Sequence, residues 1–219
     1  MSPYRERYRN ELNDLNSFTR DLADKVSMAI DQSVRALRES NADLGKEVIQ
    51  GDQKVDEMSQ EIETMCMELL ALQQPMAKDL RQIIGILKIS IDLERIGDLA
   101  VDIARVSIQS KQGIYPKELE VIPLMAEIAR KMLSQTVEAL MKYDSDMARQ
   151  ATKWDYEIDR LYVKARDKLF QLIIEKPEII NEAISLLMVN RHLERIGDHI
   201  CNICESIVYM VEGKREHLN

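Results

Sequence analysis

The sequence predicts an all-α protein made of two tandem three-helix bundles, with six long helices and short connecting helices. The first observation behind this prediction is an internal repeat: the string L-E-R-I-G-D at positions 93–98 returns unchanged at positions 193–198. The second is the composition. Hydrophobic residues make up 45%, aromatic residues only 5%, and the 219 residues include just 7 Gly and 5 Pro. This balance is typical of helical bundles rather than of sheets, and no window alternates as a strand would.

The repeat extends beyond this string and points to a duplicated half of roughly 105 residues. Pro75 and Pro177 correspond at an offset of 102, whereas the two L-E-R-I-G-D strings correspond at an offset of 100. Small insertions in loops explain such a drift. We therefore expect a first bundle at 1–113, a second bundle at 114–213 and a frayed tail at 214–219.

In the first half, apolar residues recur with a period close to 3.6 from residue 3 onward, which predicts one long helix. Ser2 is a suitable N-cap and Pro3 a suitable first helical residue. The segment S-N-A-D at 40–43 then breaks the pattern and can cap a following helix, and Gly51 is a potential helix end. The predicted helices are 3–39, a short helix through Ile49, a helix starting at Asp52, and a helix from about 76 to 110.

The second half repeats this plan after Gly113 and Pro116, which close the first half. Gly213 is expected to end the last helix. The predicted helices are a long one at 116–143, a short one at 144–152, a long one at 154–174, and a last one that follows Pro177 and continues to about Met210.

Charge and composition exclude several classes of protein. The net charge of −8 argues against nucleic-acid binding, which needs a surplus of Lys and Arg. No apolar stretch of about 20 residues exists to span a bilayer, and the N-terminal residues lack the apolar run of a signal peptide. Three cysteines are an odd number for a disulfide framework. These features predict a cytoplasmic protein without membrane insertion.

Each half carries two acid-x-x-x-Asp motifs, in which two carboxylates project from one side of a helix. On a helical wheel, the row formed by Glu94, Asp98 and Asp102 lies roughly 120–160° from the apolar stripe, so it faces outward or along the flank of the bundle. Like charges at this spacing repel by a few tenths of a kcal/mol. Four such pairs are explained most simply by a bound hard cation such as Mg²⁺, Mn²⁺, Ca²⁺ or oxidised iron. The four pairs are Asp52/Asp56, Glu94/Asp98, Asp155/Asp159 and Glu194/Asp198.

A solvated acidic face with local bridges to Arg95, Arg195 and Lys54 remains the alternative explanation. None of the three histidines follows a Glu by three residues, as a ferritin-like di-iron site requires. P-loop, His-Glu-x-x-His and nucleophile-elbow motifs are absent from the sequence as well. His199 is interpreted as an ordinary polar residue, with an accessory ligand role as the alternative.

The small residues of the repeated segments are interpreted as structural. Cys201 and Cys204 form a lone C-x-x-C, and we interpret them as buried or half-buried core residues, because a zinc ribbon needs a second such pair. Gly97 and Gly197 lie inside predicted helices, where Gly costs about 1 kcal/mol relative to Ala. A close approach between helices would account for both glycines.

Two copies of L-E-R-I-G-D, each with an upstream Asp-x-x-x-Asp, resemble the PhoU family of phosphate-signalling proteins. The segment Q-P-M-A-K-D-L-R at 74–81 and the segment D-H-I-C-N-I-C-E at 198–205 also resemble that family, so the resemblance covers essentially the whole chain. It implies two three-helix bundles in tandem, each with a surface metal site, and iron or zinc clusters are associated with the family. The implied metal ligands are Asp52, Asp56, Glu94, Asp98 and Asp102 in the first half, and Asp155, Asp159, Glu194, Asp198 and Asn202 in the second. Because Asn202 brings no charge where Asp102 does, the second site is expected to bind metal more weakly or to hold fewer ions.

The resemblance also implies a function. It predicts a non-enzymatic adaptor that acts between the Pst phosphate ABC transporter and a Pho sensor histidine kinase. When phosphate is plentiful, such an adaptor restrains phosphate uptake and phosphate-starvation genes. The expected location is the cytoplasm and the inner face of the membrane, reached through protein partners, since an acidic surface does not attract anionic lipid. We also expect a homodimer.

Two other functions remain open at the level of the sequence. Paired metal ions could serve a hydrolase that acts on phosphoesters. A metal-free helical scaffold is the other alternative, and it predicts that Asp98→Asn and Asp198→Asn leave stability unchanged or slightly higher.

Overall fold

The computed structural model describes residues 3–109 and 120–218, with the side chains of 3–5 left aside. Within these ranges the chain forms helices and no strand, so the predicted all-α class is confirmed. Six of the helices are long and one is short, and 3₁₀ turns at 152–154 and 177–179 precede two of them. The helices are α1 (Pro3–Glu39), α2 (Ala42–Gln73), α3 (Lys78–Gln109), α4 (Val121–Lys142), α5 (Ser145–Ala151), α6 (Asp155–Glu175) and α7 (Ile180–Glu212).

The helices assemble into two bundles that share one hydrophobic core. In the first bundle α1, α2 and α3 pack against one another, and in the second α4, α6 and α7 do so, with α5 against α4 and α7. The bundles meet where α3 packs on α7 and where α1 packs on α4. The core is continuous across this boundary, since Ile96 and Ile196 are both fully buried members of one cluster. The predicted boundary at 113/114 lies outside the described residues.

The prediction of a short helix before Gly51 is wrong, because α2 continues from Ala42 through Gly51 to Gln73 without a break. Asn41 does cap this helix, and its side-chain oxygen accepts a hydrogen bond from the backbone N–H of Leu44 at 3.1 Å. Gly51 costs the helix about 1 kcal/mol. The apolar contacts of Val48 and Val55 on either side, both buried, outweigh that cost.

The corresponding break in the second half does exist. Asp144 caps α5 by accepting a hydrogen bond from the N–H of Met147 at 2.9 Å, and the 3₁₀ turn Thr152–Trp154 then leads into α6. The helix predicted at 116–143 is observed from Val121 to Lys142, and Pro116 and Gly113 lie outside the described residues, as does Ser2. The last helix ends two residues later than expected.

Gly213 ends α7 with a φ of +73°, in the left-handed region that favours glycine, as predicted. The residues after it form no helix, but they are held in place, contrary to the expected fraying. Arg149 of α5 forms ion pairs with Glu212 at 2.8 Å and with Glu216 at 2.7 Å. These hydrogen bonds from Arg149 lower the pKa of Glu212 to about 2. We call residues 213–218 the C-terminal strap.

Candidate functional site

The acid-x-x-x-Asp motifs of each half lie on two antiparallel helices at a place where those helices pack closely. In the first half α2 and α3 meet at Gly97, where a Cβ would lie 3.0 Å from Val55 Cγ1 and 3.4 Å from Asp52 Oδ1. In the second half α6 and α7 meet at Gly197, where a Cβ would lie only 2.4 Å from Asp155 Oδ1. Both glycines therefore permit close helix packing, as predicted, and they leave room for Asp52 and Asp155 beside the neighbouring helix.

The structure brings four carboxylates together in the first half. Burial, followed by the negative charges of Asp56, Asp98 and Glu94, raises the pKa of Asp52 to about 6, against the opposing effect of Arg105. Burial likewise raises the pKa of Glu94, to which Asp98 and Asp56 contribute. This mutual influence shows that the four groups share one electrostatic environment. We call them the first carboxylate group.

The second half contains the equivalent arrangement, which we call the second carboxylate group. Asp155 is 5% exposed, and burial followed by the charges of Asp159 and Asp198 raises its pKa to about 6. Burial also raises the pKa values of Asp159 and Glu194, with Asp198 as the main charged contributor to each. The more buried position of Asp155 makes this group the more desolvated of the two.

Arginines lie beside both carboxylate groups. Arg95 contacts Asp98 at 3.0 Å and Glu94 at 3.6 Å. Arg191 is hydrogen-bonded to Oε1 of Glu194 and opposes the rise in the pKa of Asp159. These arginines are more than 45% exposed, so their ion pairs are worth at most about 1 kcal/mol each. A ligand that competes for the carboxylates could displace them at little cost.

The donor set suits a hard cation, although the side chains are not arranged around one. All eight groups are carboxylates, and Oε2 of Glu194 is a buried oxygen without a hydrogen-bond partner. Oxygen ligands of this kind are preferred by hard cations. However, no three His, Cys, Asp or Glu side chains within 3–109 and 120–218 come close enough together to hold a metal ion. Binding would require the exposed carboxylates to leave Arg95 and Arg191 and turn inward.

Asp102 and Asn202 are not part of these groups. Asp102 forms an ion pair with Arg105 at 2.8 Å, and Asn202 donates a hydrogen bond to Oδ1 of Asp92 at 3.3 Å. Both residues lie toward the contact between α3 and α7. Their predicted role as metal ligands stays a prediction, and it would require a larger movement than that of the other eight residues.

Sequence reasoning missed a polar contact between the two bundles. His199 of α7 lies 2.9 Å from Oδ1 of Asp92 of α3, and both side chains are less than a fifth exposed. His192 is half-buried in the same helix contact, where burial lowers its pKa and Asp102 opposes that shift. A helical wheel considers one helix at a time, so it cannot predict a contact between α3 and α7. The one available signal was that Asp92 and His192 occupy the same position of the repeat.

The structure shows the surroundings of the two cysteines of the C-x-x-C motif and of His199. Cys201 and Cys204 are buried, as predicted, and burial raises the pKa of the Cys204 thiol to about 12, which keeps it protonated. His199 is a polar residue hydrogen-bonded to Asp92, which agrees with its interpretation, and its accessory ligand role stays a prediction.

The PhoU domain profile matches two segments, residues 19–107 and 122–207, which are the two repeats. The chain belongs to the PhoU family. A phosphate-specific transport system accessory protein PhoU homolog from Pseudomonas putida is 35% identical over 95% of this chain and 82% of its own length. A protein of the same name from Aquifex aeolicus is 36% identical over 95% of this chain and 96% of its own length.

Solved structures agree with this assignment to the PhoU family. The crystal structure of PhoU from Pseudomonas aeruginosa superposes with a TM-score of 0.89 at 34% identity, over 94% of this chain and all of the other. The phosphate transport system regulatory protein PhoU from Streptococcus pneumoniae gives the same TM-score at 28% identity, over 95% and 99% of the two chains. The predicted PhoU-like duplication is confirmed. No helix in the described part of the chain has both the length and the apolar character needed to cross a membrane.

Proposed function

We propose that this protein is an accessory protein of a phosphate-specific transport system. The observation that carries the proposal is the extent of the similarity: relatives with that name match 95% of the chain, through both repeats, at 35–36% identity. A match of this extent includes both bundles. In this role the protein is a non-enzymatic adaptor that restrains phosphate uptake by the transporter and phosphate-starvation signalling by a sensor kinase when phosphate is plentiful.

The carboxylate groups support a metal-dependent form of this adaptor. Each group places four acids where two helices pack closely, and the cost of ionising Asp52 and Asp155 there is what a bound cation would remove. A metal bound at such a place would tie α2 to α3 and α6 to α7. Iron or zinc, as implied by the family resemblance, would be held by Asp52, Asp56, Glu94 and Asp98, and by their counterparts in the second half.

The regulatory role is tested in a strain from which this gene has been deleted. In phosphate-rich medium we expect a several-fold rise in phosphate uptake and in a phosphate-starvation reporter, both restored by the wild-type gene. The measurements are radiolabelled phosphate uptake and reporter activity. Unchanged uptake and unchanged reporter activity in the deletion strain would contradict the proposal.

The metal is tested by elemental mass spectrometry of protein purified without chelators. We expect stoichiometric metal in the wild type and its loss in a variant with four carboxylates neutralised at the sites: Asp56→Asn, Asp98→Asn, Asp159→Asn and Asp198→Asn. The matched control carries the same change in charge on exposed acids away from the sites: Asp14→Asn, Asp21→Asn, Asp24→Asn and Asp43→Asn. A wild type that contains no metal and takes up neither Fe, Zn, Mn nor Mg would overturn the metal site and leave the regulatory test unaffected.

A further inference from the structure

The C-terminal strap covers a cavity that lies apart from both carboxylate groups. The cavity has a volume of about 310 Å³, at the lower end of the range for small-molecule sites. Its walls come from three parts of the fold: Lys88 of α3, Ser206 and Tyr209 of α7, and Arg215 and His217 of the strap. Residues of α3, α7 and the strap therefore line it from three directions.

The two acids that line the cavity already have partners. Glu216 accepts hydrogen bonds from Nε and Nη2 of Arg149 at 3.1 and 2.7 Å. Glu205 accepts a hydrogen bond from the backbone N–H of Leu218 at 2.9 Å and lies 3.1 Å from Nδ1 of His217. The charge of Glu216 is thus compensated by Arg149, the oxygen of Glu205 is occupied by the strap, and both acids fix the strap over the cavity.

The basic and hydroxyl side chains of the cavity, in contrast, have no such partners. Among the described residues, none forms a hydrogen bond or an ion pair with the side chains of Lys88, Arg215, Ser206 or Tyr209. Ser206 is only 9% exposed. Two cations and two hydroxyl groups consequently line one cavity with their hydrogen-bonding capacity unused. On a surface of compensated charges, such groups would be paired.

Further positive charge lies where the strap begins. Arg81 is on the same side of α3 as Lys88, two turns earlier, and a Cβ on Gly213 would lie 3.4 Å from its Cζ. The Nε atom of Arg81 is buried without a hydrogen-bond partner. The region under the strap therefore carries uncompensated positive charge within a chain whose net charge is −8.

We propose that this cavity binds a tetrahedral oxyanion of the phosphate class, either inorganic phosphate or the terminal phosphate of a phosphomonoester. Lys88 and Arg215 supply charge-assisted hydrogen bonds, and the hydroxyl groups of Ser206 and Tyr209 donate to the remaining oxygens. Donors that arrive from α3, α7 and the strap match acceptors that point in several directions. A planar carboxylate would use fewer of them.

Anion binding at this site depends on the contacts that hold the C-terminal strap in place. Arg215 belongs to the strap and reaches the cavity only while Arg149 holds Glu216, so bound anion and closed strap stabilise each other. The proposal concerns ligand binding alone and does not depend on the regulatory role or on a bound metal.

Isothermal titration calorimetry of the full chain in the presence of a metal chelator tests the site, with inorganic phosphate and O-phosphoserine as separate probes. We expect saturable binding to the wild type, and binding at least tenfold weaker in Lys88→Gln/Arg215→Gln. The control Lys46→Gln/Lys214→Gln removes the same charge outside the cavity and should change the Kd by less than twofold. All four residues are exposed, so neither variant should unfold.

The two probes distinguish the sources of the ligand. Tighter binding of inorganic phosphate would identify free phosphate, and tighter binding of O-phosphoserine would identify a phosphoester. The absence of saturable binding of either probe to the wild type, or equal binding in Lys88→Gln/Arg215→Gln, would overturn the proposal. Neither result would bear on the uptake measurement or on the metal analysis.

Discussion

Asp155→Asn is expected to stabilise the metal-free protein at pH 8 by about 1–2 kcal/mol. The reason is the raised pKa of Asp155, about 6 in the folded protein against 3.8 for the ordinary group. Two pKa units correspond to about 3 kcal/mol that the folded state loses when this buried carboxyl ionises. Asparagine avoids that loss, although it forfeits the favourable charge at the first turn of α6, worth about 0.3–1 kcal/mol.

The pH dependence gives this prediction its sign. A carboxyl group whose folded pKa is raised contributes stability that is fully present below pH 3.8 and is lost as the pH rises through about 6. The wild type should therefore lose stability over that window, whereas Asp155→Asn should lose less. Urea unfolding in the presence of a chelator at pH 4.5 and pH 8 measures the difference.

Glu157→Gln is the matched control for Asp155→Asn, because it neutralises an exposed acid in the same turn that is paired only with Arg160. It should show no comparable gain at pH 8. Equal destabilisation by Asp155→Asn at both pH values would contradict the argument. When saturating metal is added, the wild type should instead become the more stable protein, since a ligand that binds only the folded state stabilises it.

Gly45→Ala and Gly51→Ala should have opposite effects, although both place the same methyl group in α2. A Cβ at Gly45 would lie 2.4 Å from Ser107 Oγ and 3.2 Å from the backbone oxygen of Ala104, so α2 and α3 must separate or Ser107 must move. Moving Ser107 breaks its hydrogen bond to Ala104, which is 2.7 Å long. Overpacking of this kind costs about 1–3 kcal/mol, less the helix gain of about 1 kcal/mol.

A Cβ at Gly51 would meet nothing within 4 Å, so Gly51→Ala should stabilise the protein by about 0.5–1 kcal/mol through helix propensity alone. Urea unfolding of both single variants measures the contrast. The double variant Gly45→Ala/Ser107→Ala should recover part of the loss, because it removes the nearest clash. Destabilisation by Gly51→Ala would show that the helix needs flexibility there.

The same two glycines show how far the sequence could predict the fold. Periodicity and the positions of Pro and Gly predicted the six long helices, because those signals act over one or two turns. They misplaced the start of α2, which was expected at Asp52 and lies at Ala42. Gly51 was interpreted as a helix end, since a sequence cannot show whether the space beside a glycine is empty. The structure answers that question differently at Gly51, where there is room, and at Gly45, where there is none.

The carboxylate groups could be predicted because their members repeat at a spacing of four within each half. Contacts between distant parts of the chain could not be predicted from the sequence. Arg149 and Glu216 are 67 residues apart, and His199 and Asp92 are 107 apart. Neither pair belongs to a periodic pattern, and each forms only when helices are packed. The strap and the polar contact between bundles therefore became visible with the tertiary structure.

The contact between α3 and α7 preserves the geometry of a symmetric dimer within a single chain. Asp92 meets Asn202, and Asp102 faces His192. Since 92 corresponds to 192 and 102 to 202, these two contacts exchange under the repeat, as contacts across a twofold axis do. Two identical halves with aspartate at both positions would oppose like charges there twice. In this chain the second half carries His192 and Asn202 at those positions, so each contact joins an aspartate to an uncharged or basic partner and the two halves are not interchangeable across it.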